Sequence, residues 1–209
     1  MDYDVLSERG VEQVTALIAG LRRRHIVADR VVSGSLRRQR DTAKTCASEL
    51  GIDLEVDDRW DEYDVREILT HHAGASVGLE HQSGDEPVSS REFQPLLDRA
   101  LLKWVQAGAS TPSRESWPRF QERVTSALGD VVRDLGKGQA TLVVSSGGVI
   151  AAITGALLGL PPEALIAFNH ASLNTGITKL AVGRAGITLV SSNEHAHLDE
   201  ADAALITYR

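Results

Sequence analysis

The residues best placed to do chemistry lie at positions 145–148, a Ser-Ser-Gly-Gly turn inside the stretch 141–158, TLVVSSGGVIAAITGALL. Leu142, Val143 and Val144 form a short apolar run ended by that turn, which predicts a strand buried on both faces. Val149, Ile150, Ile153 and Leu157 then recur at helical spacing until Gly159, Pro161 and Pro162 stop the pattern. Glycines where a strand passes into a helix uncover backbone N–H groups at the positive end of the helix dipole. Such a terminus suits an anion, phosphate above all. The competing reading of Gly147 and Gly148 is a tight turn with no ligand.

A second candidate is the arginine group Arg37, Arg38 and Arg40, which falls in the first turns of a helix predicted after the strand at 29–33. Cations are disfavoured at a helix N-terminus by roughly a few tenths of a kcal/mol, so an anion beside them would explain their position. A solvated cluster would serve as well. The third is the acidic segment 57–64, DDRWDEYD, where Asp57, Asp58, Asp61, Glu62 and Asp64 read as a surface loop around a Trp60 plugged into the core.

Other chemistries fit less well. His71, His72 and His81 lack a Cys or Asp partner at ligand spacing, so neither a metal nor another cofactor is expected. A serine nucleophile at Ser145 or Ser146 would need Gly two residues to either side; Ser146 has Gly148 after it but Val144 before it. Neither G-x-G-x-x-G nor G-x-x-x-x-G-K-[ST] occurs.

The elements that must hold these residues alternate in type. A helix with Ser7 as N-cap buries Val11, Val14, Ile18 and Leu21, and strands follow at 29–33 and 52–56. A short helix at 65–73, a loop at 74–90 and two longer helices, around 93–104 and 117–135, come before the glycine turn. Beyond it, 164–168, 174–182 and 187–191 read as strands, with a hairpin turn at 183–186, and His195 and His197 as surface-loop residues. The alternation predicts a mostly parallel central sheet between helical layers.

Composition narrows the setting. The 209 residues suit a single domain; a net charge of −7 argues against nucleic-acid or anionic-membrane partners. The chain has no membrane-length apolar run and no secretory leader pattern, and its one cysteine, Cys46, reads as a small buried hydrophobe. A reduced, cytoplasmic protein is expected.

Several stretches match one pattern in order. SGSLRRQRDTA resembles the "S-P-L-x-R-A-x-x-T-A" segment of the histidine phosphatase superfamily, the phosphoglycerate mutase-like enzymes. RWDEYD resembles its "L-x-E" segment, ESWPRFQERV its "E-S-x-x-x-F-x-x-R-V" helix, VVSSGGVI its "V-S-H-G-G-V-I", and LSERGVEQV its "L-T-x-x-G-x-x-Q-A" helix.

The resemblance implies a three-layer α/β/α sandwich of phosphoglycerate mutase-like fold, spanning 1–209 with a helical cap inserted at about 63–115. It implies that a histidine takes up a phosphoryl group, that Arg38 clamps the phosphate, that Ser146 and Gly147 contact its oxygens, and that Glu62 donates a proton to the leaving group. Two departures stand out: no Arg-His-Gly occurs, and Ser146 stands where the pattern has His. The expectation is then a degenerate member that binds phosphate or a phosphorylated small molecule with little or no turnover. The alternative is a phosphomonoesterase whose nucleophilic His lies upstream of Met1.

A sheet without the family's first strand would leave a gap between the strands ending at Ser33 and Ser145, with unpaired groups costing about 1–3 kcal/mol each. Another segment, closure of the flanking strands, or a partner chain in a homodimer would fill it.

Overall fold

The computed structural model describes residues 4–74 and 90–207, so His81 lies outside the described residues. Helix α1 (Glu8–Arg23) begins where the Ser7 hydroxyl accepts the Gly10 N–H at 3.1 Å, the N-cap that the sequence predicts. Next come β1 (Arg30–Ser33), α2 (Arg37–Leu50) and β2 (Leu54–Val56), then one 3₁₀ turn at Asp58–Trp60. Helices α3 (Val65–His72), α4 (Ser90–Ala107) and α5 (Trp117–Asp134) lead to β3 (Thr141–Val144) and α6 (Gly147–Leu158). The chain continues through α7 (Pro162–His170), β4 (Ile177–Gly183), β5 (Gly186–Glu194) and α8 (Ala196–Ala201).

Strands β2, β1 and β3 form a parallel sheet, with Val31 opposite both Leu54 and Leu142. Successive residues of β1 face opposite helical layers. Val31 packs with Ala43 and Ala47 of α2, while Val32 joins a larger core that includes Ile68, Trp104, Phe120, Val149 and Leu165. On the α2 side Leu17, Ile18 and Leu21 of α1 close over Cys46, which is fully buried as expected. These layers give the three-layer α/β/α arrangement.

The gap expected between the strands ending at Ser33 and Ser145 is closed, because β1 and β3 pair directly with Ser33 against Val144. The sheet is interrupted elsewhere. Among the described residues no strand pairing joins β3 to the antiparallel β4–β5 hairpin, although Leu142 and Ile177 share one apolar cluster and Val143 and Leu180 another.

Several expectations are corrected: Val11 of α1 is 54 % exposed rather than buried, and β3 is half-buried rather than buried on both faces. Residues 164–168 are helical: Pro161 and Pro162 preset the first turn, Glu163 suits its positive end, and Leu165 and Ile166 are buried together, a run too short to tell helix from strand by periodicity. His197 is buried in α8 rather than in a surface loop. Its Nε2 lies 3.0 Å from Thr175 Oγ1, and a Cβ at Gly20 of α1 would fall 2.5 Å from its own Cβ. Among the described residues no helix is long and apolar enough to cross a membrane.

Candidate functional site

The carboxyl ends of β1 and β3 lie side by side, and each strand leads into a helix, α2 after β1 and α6 after β3. Two helix N-termini therefore converge at one edge of the parallel sheet, the place where open α/β sheets bind ligands. Gly34 extends the pairing by donating its N–H to Val144 O at 3.3 Å.

At the first terminus Leu36 occupies the N-cap of α2 with no side-chain hydrogen bond. The donors are taken instead by Asp4. Its carboxylate accepts the Arg37 N–H at 2.8 Å, the Arg38 N–H at 3.3 Å and the Arg38 guanidinium at 3.0 Å. Partial burial pushes the Asp4 carboxyl up, but these N–H bonds and the Arg38 charge outweigh it and hold it below its ordinary value.

At the second terminus Ser146 is the N-cap of α6, yet its hydroxyl makes no capping bond. It accepts the Gln39 amide at 2.9 Å, and the same Nε2 reaches Trp60 O at 3.2 Å. Gln39 is 2 % exposed and fills the space between the two strand ends. A Cβ at Gly34 would fall 2.0 Å from its Oε1, so Gln39 in this position leaves room only for a glycine at 34.

Gly147 opens α6, and the Gly148 N–H donates to the Glu62 carboxylate at 3.1 Å. Glu62 also accepts its neighbour's Tyr63 N–H at 3.2 Å and is 8 % exposed. The structure thus brings Ser146, Gly147 and Glu62 to one helix terminus. Arg38 sits at the other, in the residue before Gln39.

The loop carrying Glu62 is held from behind. Arg123 of α5 makes two bonds of 2.8 Å to Glu115 and donates Nη1 to Arg59 O at 2.9 Å and Asp61 O at 3.0 Å. Asp61 in turn accepts Ser35 Oγ at 2.6 Å. The planar fork of arginine can serve a carboxylate and two carbonyls at once.

Sequence reasoning missed Asp4, Gln39 and the role of Arg123. Gln39 had a signal, since it stands where the resembled pattern has Ala. Asp4 had none, its partners lying 33 and 34 residues away.

Among the described residues no group of three or more His, Cys, Asp or Glu side chains is arranged to hold a metal ion. His72 instead pairs with Thr111 Oγ1 at 2.8 Å. A groove of about 620 Å³ between β2 and α5 runs past the ends of β1 and β2, with Val32, Ser35 and Val56 in its lining. Its arginines are held by its own carboxylates, Arg30 by Glu55 and Arg59 by Asp57 and Asp130, and acidic side chains outnumber basic ones in its lining.

Known proteins resemble this chain over most of its length. A glucosyl-3-phosphoglycerate phosphatase of Mycolicibacterium vanbaalenii is 31% identical over 166 residues, covering 78% of this chain and 67% of that protein. A probable phosphoglycerate mutase GpmB of Yersinia pestis is 27% identical, covering 86% and 81%. Among solved structures, a mycobacterial glucosyl-3-phosphoglycerate phosphatase in complex with inorganic phosphate superposes with a TM-score of 0.62 at 25% identity, covering 91% of this chain and 88% of that one. A phosphoserine phosphatase mutant of Entamoeba histolytica in complex with phosphoserine gives 0.63 at 19% identity, covering 92% and 85%. The model of the histidine phosphatase superfamily (branch 1) matches residues 1–195, and the chain belongs to that family.

Proposed function

We propose that this chain binds inorganic phosphate or a phosphorylated small molecule at the strand ends and turns it over slowly or not at all. The observation that carries this reading is the Gln39–Ser146 hydrogen bond of 2.9 Å, which ties the first turn of α2, with Arg38, to the cap of α6, with Gly147. Arg38 supplies a planar cation, Ser146 a hydroxyl and Gly147 a backbone N–H, the donor types that phosphoryl oxygens need. The mycobacterial relative crystallised with inorganic phosphate supports the ligand class.

Slow turnover follows from what these donors lack. A hydroxyl at position 146 carries no positive charge, and loss of one preorganised donor costs on the order of 3–4 kcal/mol of transition-state stabilisation. Glu62 is the group to protonate a leaving oxygen where turnover occurs, and the helical region 63–115 is the part of the chain to select the substrate.

Calorimetric titration with inorganic phosphate tests the reading. Binding that falls at least about tenfold in Arg38→Ala is expected, with little or no release of phosphate from p-nitrophenyl phosphate. Sustained turnover abolished by Arg38→Ala would favour the alternative of an active phosphomonoesterase, to which the relatives named as phosphatases also lend weight.

A further inference from the structure

The cradle at the start of α2 already holds an anion, and that anion belongs to the chain itself. Helix α2 has no acidic residue in its first turn and no side-chain cap of its own, and Arg37 and Arg38 sit in that turn. The Asp4 carboxylate arrives from before α1 to take two adjacent backbone N–H groups and the Arg38 guanidinium. Two N–H donors and one guanidinium are also what a phosphoryl oxygen pair would engage.

Resting on the phosphate-binding reading above, we propose that Asp4 is an internal competitor for this cradle: phosphate binds by displacing the Asp4 carboxylate from Arg38 and the first turn of α2. The geometry permits exchange. The two side chains are 22 % and 34 % exposed, so the pair is open to solvent on one side. A dianionic phosphate brings more charge to the same donors than a single carboxylate. Only the fraction of molecules with Asp4 undocked is competent to bind, so apparent affinity is lowered by that fraction; a contact closed in nine molecules of ten weakens binding by about tenfold. The rival account is a remote helix cap that stabilises the fold and never leaves.

Calorimetric titration of wild type, Asp4→Ala and Arg38→Ala with inorganic phosphate at low ionic strength separates the two. Competition predicts that Asp4→Ala binds phosphate about tenfold more tightly than wild type, and that Arg38→Ala binds more weakly than both. In wild type it predicts that the ¹³Cγ resonance of Asp4 and the amides of Arg37 and Arg38 shift together at saturating phosphate, a measurement that stands even if Asp4→Ala fails to fold. Wild-type binding with no gain in a natively folded Asp4→Ala, or an Asp4 resonance unmoved at saturation, would overturn the competition while leaving the cradle intact. Absence of phosphate binding in every form would remove the cradle and the competition together.

Discussion

Gln39 donates its amide to the Ser146 hydroxyl across 2.9 Å, a bond between residues 107 positions apart that fastens the helix after β1 to the helix after β3. Its cost and benefit are uneven. The Gln39 Oε1 is buried with no hydrogen-bond partner among the described residues, while Trp60 O, the other acceptor of the amide, is also served by Ser145 Oγ at 2.6 Å. Gln39→Ala therefore removes one unsatisfied atom along with two hydrogen bonds and a buried side chain. A net loss of about 1–2 kcal/mol is expected, read as a lower urea midpoint with an unchanged slope. Unaltered stability would mean that the bridge holds nothing together.

Gly148 and Gly129 make a matched test of close approach. A Cβ at Gly148 would fall 2.2 Å from Glu62 Oε1 and 2.2 Å from the Tyr63 ring, whereas one at Gly129, inside α5, meets nothing within 4 Å. Gly148→Ala should cost about 1–3 kcal/mol by overpacking. Gly129→Ala should gain about 0.5–1 kcal/mol, because alanine gives up less backbone freedom in a helix. The two urea midpoints should move in opposite directions.

Much of this architecture is written locally. The spacing of Trp117, Phe120, Val124 and Leu128 marks α5, Ser7 marks the start of α1, and the apolar run 142–144 ended by the Ser-Ser-Gly-Gly turn marks β3. The misread segment 164–168 shows the limit: five residues carry too little periodicity, and the deciding contact, Leu165 against Gly155, is tertiary. Of the candidate residues, Gly147 stood out by type and spacing, while Arg38, Glu62 and Ser146 were singled out by the motifs that the sequence resembles. Asp4 could not, because an isolated acid near the start of a chain says nothing about a helix terminus that folding alone brings beside it.

Arg123 and Glu115 offer a test of how the Glu62 loop is positioned. Arg123→Lys keeps the charge but cannot make two bonds to Glu115 while also serving Arg59 O and Asp61 O. Carbonyls left unpaired cost about 1–3 kcal/mol, and for a chain of this size each kcal/mol lowers Tm by roughly 2–4 °C. Calorimetry should thus show a drop of several degrees in Arg123→Lys. Glu115→Gln should lose less, since the amide oxygen still accepts from the fork.

Two buried histidines set a pH dependence of stability. Burial, joined by the charges of His71 and Lys103, lowers the pKa of His72; burial, joined by His195, Arg24 and Arg23 and opposed by Asp199, lowers that of His197. The unfolded chain therefore takes up protons at about 6.5, the ordinary histidine value, before the folded chain does. Their contribution is full above that pH and declines as the pH falls below it toward the folded-state values. Carboxylates such as Asp4, Asp57 and Asp130, held below their ordinary value of 3.8, lose their contribution only at lower pH. Urea midpoints should be flat from pH 8 to 7 and fall between 6.5 and 5. The fall should be shallower in the pair His72→Gln and His197→Gln.

The last prediction couples the two residues of the bridge. Placing an imidazolium at position 146 should strengthen phosphate binding, since a hydrogen bond from a charged donor is worth about 1.5–3 kcal/mol, or tenfold and more. Gln39 already occupies the space around that position, with its amide 2.9 Å from Ser146 Oγ, so Ser146→His alone must compete for room with a buried side chain. In the Gln39→Ala background the ring can enter. The double variant should bind inorganic phosphate at least about tenfold more tightly than Gln39→Ala at pH 6 and lose that gain at pH 8, where the imidazole is neutral. Ser146→His alone should gain less, making the double-mutant cycle non-additive. An equal gain in both backgrounds would show that Gln39 does not stand where the imidazole must go.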